Sequence, residues 1–402
     1  MTMGPASPAT SRGHLVTILV LGAMTAVTPL ATDMYLAAFP AIGAALSASA
    51  GQVQFSLSIF FIGMALGQLI YGTLIDRLGR KLPLMAGMAV FTLSSVAMPF
   101  APDIFTFNGL RLLQAVGACS GMVIGRAAIN DLFDATEGAR VLSHMMLITG
   151  LGPILAPILG GYILTSWGWQ AIFVALAAIA AVSLFAIGFA FRETLPPENR
   201  QPQRIGETGR TYLKLLKNRQ FVLFSLVGCF ALGGLFAFIT GSPHVMMDLY
   251  GLSQQTYGWV FAANAVAMVI GSQINGYLLR RHPLGTVLKY SLLLFVVTGV
   301  VTVALSGTAH LITLMIPLTL CLANVPVVAA NSTALAMAAC GKDAGTASGI
   351  LGVLQFGIAG LVSGLVGMVA NNSPLPMTVV IAAAAMAAFA CFAGFRNDRR
   401  VN

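Results

Sequence analysis

Charge is what this chain has least of. Asp, Glu, Lys and Arg together make up 8% of its 402 residues, against about a quarter in a soluble domain. Hydrophobic residues make up 57%, and the mean hydropathy is +0.88. A water-soluble fold is excluded. Cysteine is also sparse: Cys119, Cys229, Cys321, Cys340 and Cys391 lie in or beside apolar runs without a Cys-x-x-Cys pair. That excludes a disulfide framework or a thiolate metal site and leaves small core residues. No His/Asp/Glu cluster, His-x-x-x-His pair or serine–histidine arrangement appears at a membrane edge, so no enzyme, metal or cofactor is expected. A soluble output domain, as a membrane sensor would usually carry, is lacking too. The first apolar stretch, residues 15–39, is too long for a signal h-region and contains an aspartate, so no cleavable signal is expected.

What is there is a series of apolar runs, about twelve by length, since a span with its connection takes roughly 30 to 35 residues. They cover 15–39, 52–75, 82–101, 104–130, 142–166, 169–191, 220–242, 255–279, 285–306, 309–337, 344–370 and 375–395. The longest polar segment, 192–219, holds Pro196, Pro197, Pro202 and seven Lys/Arg residues. It reads as a flexible or partly helical cytoplasmic linker between an N-terminal six-helix bundle (1–191) and a C-terminal one (220–402). The fold class is therefore an all-α membrane protein of twelve transmembrane helices in two bundles. The net charge of +9 would suggest a nucleic-acid partner in a soluble protein. Here topology explains it. With the N-terminus cytoplasmic, the inner segments take Arg12, Arg77, Arg80, Lys81, Arg140, the linker residues, Arg280, Arg281, Lys342, Arg396, Arg399 and Arg400, and the outer loops take none of the 21 Lys and Arg. This asymmetry places both termini inside. The implied partners are the lipid bilayer and a small molecule, with no nucleic acid and a monomeric state expected.

Glycine, at 43 residues, allows close approach between helices in a bilayer. The fifth span shows it best, with Gly150, Gly152, Pro153, Pro157, Gly160 and Gly161. Two prolines four residues apart would kink a helix, and the glycines around them give a bendable face, so Gly152, Pro153, Pro157, Gly160 and Gly161 are candidate hinge residues. A second concentration of information is the segment Gly72–Leu84 between the second and third spans. Gly72 and Gly79 let helices and turn pack closely. Asp76 is an acid at a helix end that can meet backbone N–H groups or an arginine. Arg77, Arg80 and Lys81 fix the turn inside. Arg126 and Asp131, near the inner end of the fourth span, are expected to join this loop in a cytoplasmic gate.

A charge inside a span is costly and functional by default. Asp33 and Arg111 each lie roughly 10 Å inside an outer helix end, at equal depth, so contact across a central cavity is possible. The pair reads as a proton-coupling site, with a static ion pair fixing helix register as the alternative. Arg111 also suits polar or anionic substrate groups, with Gln114 one turn away as a hydrogen-bond partner. No comparable acid lies in the second-half spans, so coupling rests on the first half and one proton per cycle is expected; His144 or His244 could add another. Candidate substrate contacts are Asp33, Tyr35, Arg111, Gln114, Phe236, Phe238 and Asn331, although an asparagine or aromatic in a span also serves packing between helices.

The 72–84 string, Gly-x-Leu-x-Asp-Arg-x-Gly-Arg-Lys, resembles the loop between the second and third helices of major facilitator transporters. The fifth-span pattern resembles that of the exporters among them. Thr32-Asp33-Met34-Tyr35, Gly67–Gly72, Trp169–Phe173, Glu193–Glu198, Ala344–Ser348 and Arg111-Leu-Leu-Gln114-Ala-Val-Gly117 resemble the Bcr/CflA drug-resistance transporters, in particular the bicyclomycin-resistance branch. The resemblance runs from about 15 to 395. It implies a drug:proton antiporter of a bacterial inner membrane, driven by the proton gradient, in which the Arg111 stretch serves proton transfer. Export of a small metabolite such as an amino acid or sugar is the rival on the same scaffold.

Overall fold

The computed structural model describes residues 22–133, 135–200, 205–369 and 371–398, and they are helical nearly throughout. Arg12, residues 15–21 of the first run, Pro202, Arg399 and Arg400 lie outside the described residues, as do the side chains of Arg140, His144, Lys342 and Arg396. Eleven helices among the described residues are long and apolar enough to cross a membrane. The first run, described from residue 22, is not among them.

That first run is not one helix. Helix α1 covers 22–33, Met34 and Tyr35 turn, Leu36–Ala38 form one 3-10 turn, and α2 follows at Phe39–Ala45. Pro40 has no N–H to give the Leu36 carbonyl, which takes the Phe39 N–H instead. The expected continuous span 15–39 is thus corrected: the chain breaks directly after Asp33.

The other runs become single helices: α3 (Ala50–Leu78), α4 (Lys81–Ala97), α5 (Ile104–Leu132), α6 (Ala135–Trp167), α7 (Trp169–Ala190), α9 (Arg219–Pro243), α10 (Gln254–Leu279), α11 (Leu284–Ala304), α12 (Leu311–Ala338), α13 (Ala344–Met368) and α14 (Leu375–Asp398). Their starts are written in cap residues. Ser49 and Gln52 form a reciprocal capping box on α3, Asp103 caps α5, Asn218 caps α9 and Ser253 caps α10. The linker holds an amphipathic helix, α8 (Ile205–Lys217), which leads through Asn218 into α9. Beyond α9, a π-helical turn at His244–Leu249 carries Asp248.

Within the first group, α3 packs on α5, and α4 packs on α5 and α7. In the second, α9 packs on α12, α13 and α14, while α11 packs on α12 and α14. Two seams join the groups, α3 with α13 and α6 with α10. Both depend on missing side chains. On α13, a Cβ at Gly360 would sit 2.8 Å from Ile62, one at Gly364 3.0 Å from the Ser58 hydroxyl, and one at Gly367 3.1 Å from the Gly51 carbonyl. The Ser58 hydroxyl donates to the Gly360 carbonyl across this seam. On the other seam, Gly258 lies against the Pro157 backbone and Gly161 against that of Gln254. The small residues thus hold the halves at backbone-to-backbone distance, which hydrocarbon alone would not enforce. Large apolar side chains such as Phe105, Phe185 and Phe189 point outward, where lipid would cover them.

Candidate functional site

The break in the first span places two chemically unlike groups side by side. Arg111, on α5, is fully buried. Its guanidinium lies between two rings, 4.1 Å from the Tyr35 centroid and 4.3 Å from that of Phe60. Desolvated cation–π contacts of this kind are worth up to about 2 kcal/mol each. Its Nη1 donates to the Ala31 carbonyl (3.1 Å) and to Gln114 Oε1 (2.5 Å). Gln114 Nε2 then donates to the Ser95 hydroxyl at 2.8 Å. The Tyr35 and Ser56 hydroxyls meet at 3.2 Å. Asp33, Tyr35, Arg111 and Gln114 are therefore brought into one region.

Asp33 and Arg111 do not form the contact that equal depth suggested. No ion pair joins them among the described residues. The turn at Met34–Tyr35 swings the tyrosine ring onto the guanidinium, and α1 offers Arg111 a backbone carbonyl in place of the carboxylate. Asp33 is left buried, its Oδ1 without a hydrogen-bond partner in the structure, as are Arg111 Nε and Nη2. A buried carboxylate with one oxygen that accepts no hydrogen bond is costly, so the arrangement favours a site that takes up a proton or a donor group.

The residues expected from the second group divide. Phe236 packs on Phe61 at 4.3 Å between ring centroids, and Phe356 joins both at about 6.5 Å. This trio draws α3, α9 and α13 together at the middle of their seam. Phe238 instead stacks on Phe261 beside Tyr257, whose hydroxyl meets Ser242 at 3.1 Å. Asn331 exchanges hydrogen bonds with Asn275 at 2.8 and 3.3 Å. Its amide is engaged between α12 and α10, a clamp worth about 0.6 kcal/mol in comparable helix pairs, and is not presented to a ligand. Ser95, Phe60, Phe61 and Phe356 were missed by sequence reasoning; serines and phenylalanines are common in apolar runs, and no local signal sets these apart.

At the opposite end from the 46–49 turn, Arg80 organises the loop. Its Nη1 donates to the Ile75 carbonyl (2.7 Å) and Asp76 (2.9 Å), and its Nε to Asp131 (3.0 Å). Lys81 Nζ reaches the Gly188 carbonyl at 2.8 Å. Gly79 has φ +88°, and a side chain there would collide with the Glu193 carboxylate. Gly72, expected to permit close packing, has no neighbour within 4 Å of where a Cβ would lie; it lines a cavity instead. That cavity, about 430 Å³, is walled by Gln68, Asp76, Arg126, Asp131, Tyr212 and Thr346 among others, between α3, α5, α8 and α13. Arg126 shares it with Asp76 and Asp131 but forms no ion pair with either among the described residues, so its expected place in the loop cluster is corrected to a cavity wall. Arg77 lies beside this cluster in sequence, at the end of α3.

Glu193, which sequence reasoning used only as part of a resemblance, ties the linker to this loop. It accepts the Arg80 and Lys81 backbone N–H groups (2.8 and 3.3 Å), and Thr194 donates to Asp131 at 2.9 Å. Partial burial would push the Glu193 carboxyl up, but the N–H groups of Arg80, Leu195, Lys81 and Thr194 outweigh it and hold it below the usual carboxylate range. A depressed value means a contribution that is fully present above the ordinary carboxylate range and is lost as pH falls through the folded value. Limited proteolysis of the 194–204 stretch should therefore quicken severalfold on acidification toward that value. Glu193→Gln should show the faster cleavage already at neutral pH, and equal cleavage of both proteins at neutral pH would remove the tether.

The fifth-span glycines and prolines lie where α6 crosses the break. Helix α6 runs through Pro153 and Pro157 without interruption. A Cβ on Gly152 would sit 2.7 Å from Pro29, and one on Gly160 would overlap the Met34 carbonyl. Gly161 and Pro157 face α10. The motif thus touches both the turn after Asp33 and the seam with the second group.

A family profile described as Major Facilitator Superfamily matches residues 21–364. Uncharacterized MFS-type transporter YdgK of Bacillus subtilis (strain 168) is 35% identical over 97% of this chain and 98% of its own. Bicyclomycin resistance protein homolog of Haemophilus influenzae is 30% identical over 91% and 92%. Among solved structures, the partially occluded inward open conformation of the xylose transporter XylE from E. coli superposes with a TM-score of 0.73 at 13% identity, over 93% of this chain and 96% of that one, a likeness of fold.

Proposed function

Since the chain belongs to the major facilitator superfamily, and is thus a membrane transporter and not an enzyme, we propose that it exports a drug-like small molecule across a bacterial inner membrane in exchange for protons. The observation that carries this reading is the buried Asp33 carboxyl, set apart from Arg111 at the break of α1. A coupling group must be able to be empty or protonated in turn, and a carboxylate locked in an ion pair would resist that. The printed name of the relative from Haemophilus influenzae supports a drug as cargo.

In this reading the halves 1–191 and 220–402 rock about the α3–α13 and α6–α10 seams, with both termini cytoplasmic. Cargo enters through the cavity beside Arg126 and meets the Phe61–Phe236–Phe356 rings and the Asp33 region. A proton from outside then takes Asp33, cargo leaves outward, and re-closure lets the proton leave inside. The Asp76–Arg80–Asp131 cluster and its Glu193 tether form the cytoplasmic gate. Each ligand biases the cycle only through unequal affinity for the two states. The chain works as a monomer, since the path lies between its own halves. Inverted membrane vesicles test the reading. A fluorescent drug should accumulate when the interior is acidified and leave on addition of a protonophore; accumulation unaffected by the protonophore would reject proton coupling.

A further inference from the structure

Outside the transport path, the second group has a cavity of about 450 Å³ between α10 and α11, floored by α12. Its walls are apolar along Ile274, Leu278, Val287, Leu294, Leu320 and Val327, and Ile274, Leu294 and Leu320 are among the outward-facing side chains that bilayer would cover. The asparagines beneath are already occupied: Asn275 by Asn331 and Asn324 by the Leu320 carbonyl. Such a groove offers mainly shape and apolar surface along its length.

One end differs. His282, Thr286 and Tyr290 line the groove where it reaches the turn between α10 and α11. Arg280 and Arg281 stand in that turn, Arg281 over the Tyr277 ring at 4.7 Å, and Lys289 lies over Tyr290 at 5.2 Å. From residue 249 to residue 342 the sequence contains no Asp or Glu. None of these three cations forms an ion pair among the described residues. Elsewhere on the same face several basic groups are answered by carboxylates: Arg80 by Asp76 and Asp131, Arg200 by Glu193, Lys214 by Asp343. Three cations that form no ion pair among the described residues, next in sequence to the groove-lining His282 and Tyr290, call for an amphiphile with an acidic head.

We propose that the α10–α11 groove binds an anionic phospholipid of the inner leaflet, its acyl chain along Ile274, Leu278 and Leu294 and its phosphate at Arg280, Arg281 and Lys289. Basic pockets between helices on the cytoplasmic side suit such headgroups. Because α10 also forms the seam with α6, the lipid would brace one wall of the moving interface. The site stands independently of what the transporter carries.

The test uses the purified full chain in detergent, titrated with phosphatidylglycerol or phosphatidylcholine, with bound lipid counted by native mass spectrometry and unfolding followed thermally. Phosphatidylglycerol should bind more tightly and raise the unfolding midpoint. Each of Arg280→Gln, Arg281→Gln and Lys289→Gln should weaken it by about fivefold without altering phosphatidylcholine binding. Ile274→Trp, which fills the groove and leaves the charges alone, should lower occupancy by both lipids. Equal affinity of the two lipids for the wild type overturns the proposal, as does phosphatidylglycerol binding unchanged in the charge variants. Loss of selectivity in the charge variants with retention in Ile274→Trp would place the lipid elsewhere and overturns it too.

Discussion

Asp33→Asn is expected to abolish uphill transport while leaving the protein inserted, folded and able to bind its cargo. Asparagine keeps the shape of the side chain and removes its capacity to gain and lose a proton. The position is buried, its Oδ1 has no partner in the structure, and the flanking Arg111 is held by Tyr35, Phe60, Ala31 and Gln114. Neutralising Asp33 therefore breaks no ion pair, and the Arg111 network has no reason to collapse. The energetic consequence falls on coupling. One proton moving through 100 mV supplies about 2.3 kcal/mol, which sustains roughly a 40-fold concentration ratio. Without a proton carrier, that ratio should fall to about one in reconstituted vesicles, and downhill exchange of labelled drug should persist. A variant that still concentrates drug to the wild-type ratio would remove Asp33 from coupling.

This expectation sharpens a point the sequence left open. Asp33 was legible as a costly intramembrane charge, and so was Arg111, because few residues in a chain with 8% charge can sit there without a purpose. Their relation was not legible. Equal depth on two straight helices suggested a pair, but the first helix is not straight. Pro40 and the turn at Met34–Tyr35 redirect the chain, and a tyrosine takes the place expected of the carboxylate. Helix boundaries elsewhere followed the apolar runs within a few residues, except that α6 begins at Ala135, well before the expected 142, since each span must be apolar for its whole length and its ends carry caps such as Ser49, Asp103, Asn218 and Ser253. Long-range partners such as Glu193 on the Arg80 and Lys81 amides, or Phe356 on Phe61 and Phe236, leave no local trace. They join residues more than a hundred positions apart and depend on how helices cross, which composition and spacing do not fix. Gly72 shows the opposite failure: a motif glycine was assigned to packing, yet open space surrounds it, while its neighbour Gly79 is required by a positive φ and by the carboxylate of Glu193.

Gly160→Ala should reduce transport about tenfold or more, the largest effect expected from a substitution that adds one carbon and no charge. A Cβ at this position would overlap the Met34 carbonyl oxygen, and the Met34 carbonyl carbon lies 2.7 Å away. Both are backbone atoms, so no side-chain rotation can make room; α6 and the turn after Asp33 must separate. Overpacking of this kind costs about 1 to 3 kcal/mol, and 1.4 kcal/mol already shifts a two-state population tenfold. The displaced atoms belong to the residue that follows Asp33, so the carboxyl moves with them relative to Tyr35 and Arg111. Gly150→Ala supplies the control on the same helix, because nothing lies within 4 Å of its Cβ. Its transport should match the wild type, and its unfolding midpoint should be equal or slightly higher, since alanine favours a helix over glycine. If Gly160→Ala transports as well as Gly150→Ala, the close crossing of α6 on the broken first span is not a contact that the working cycle passes through.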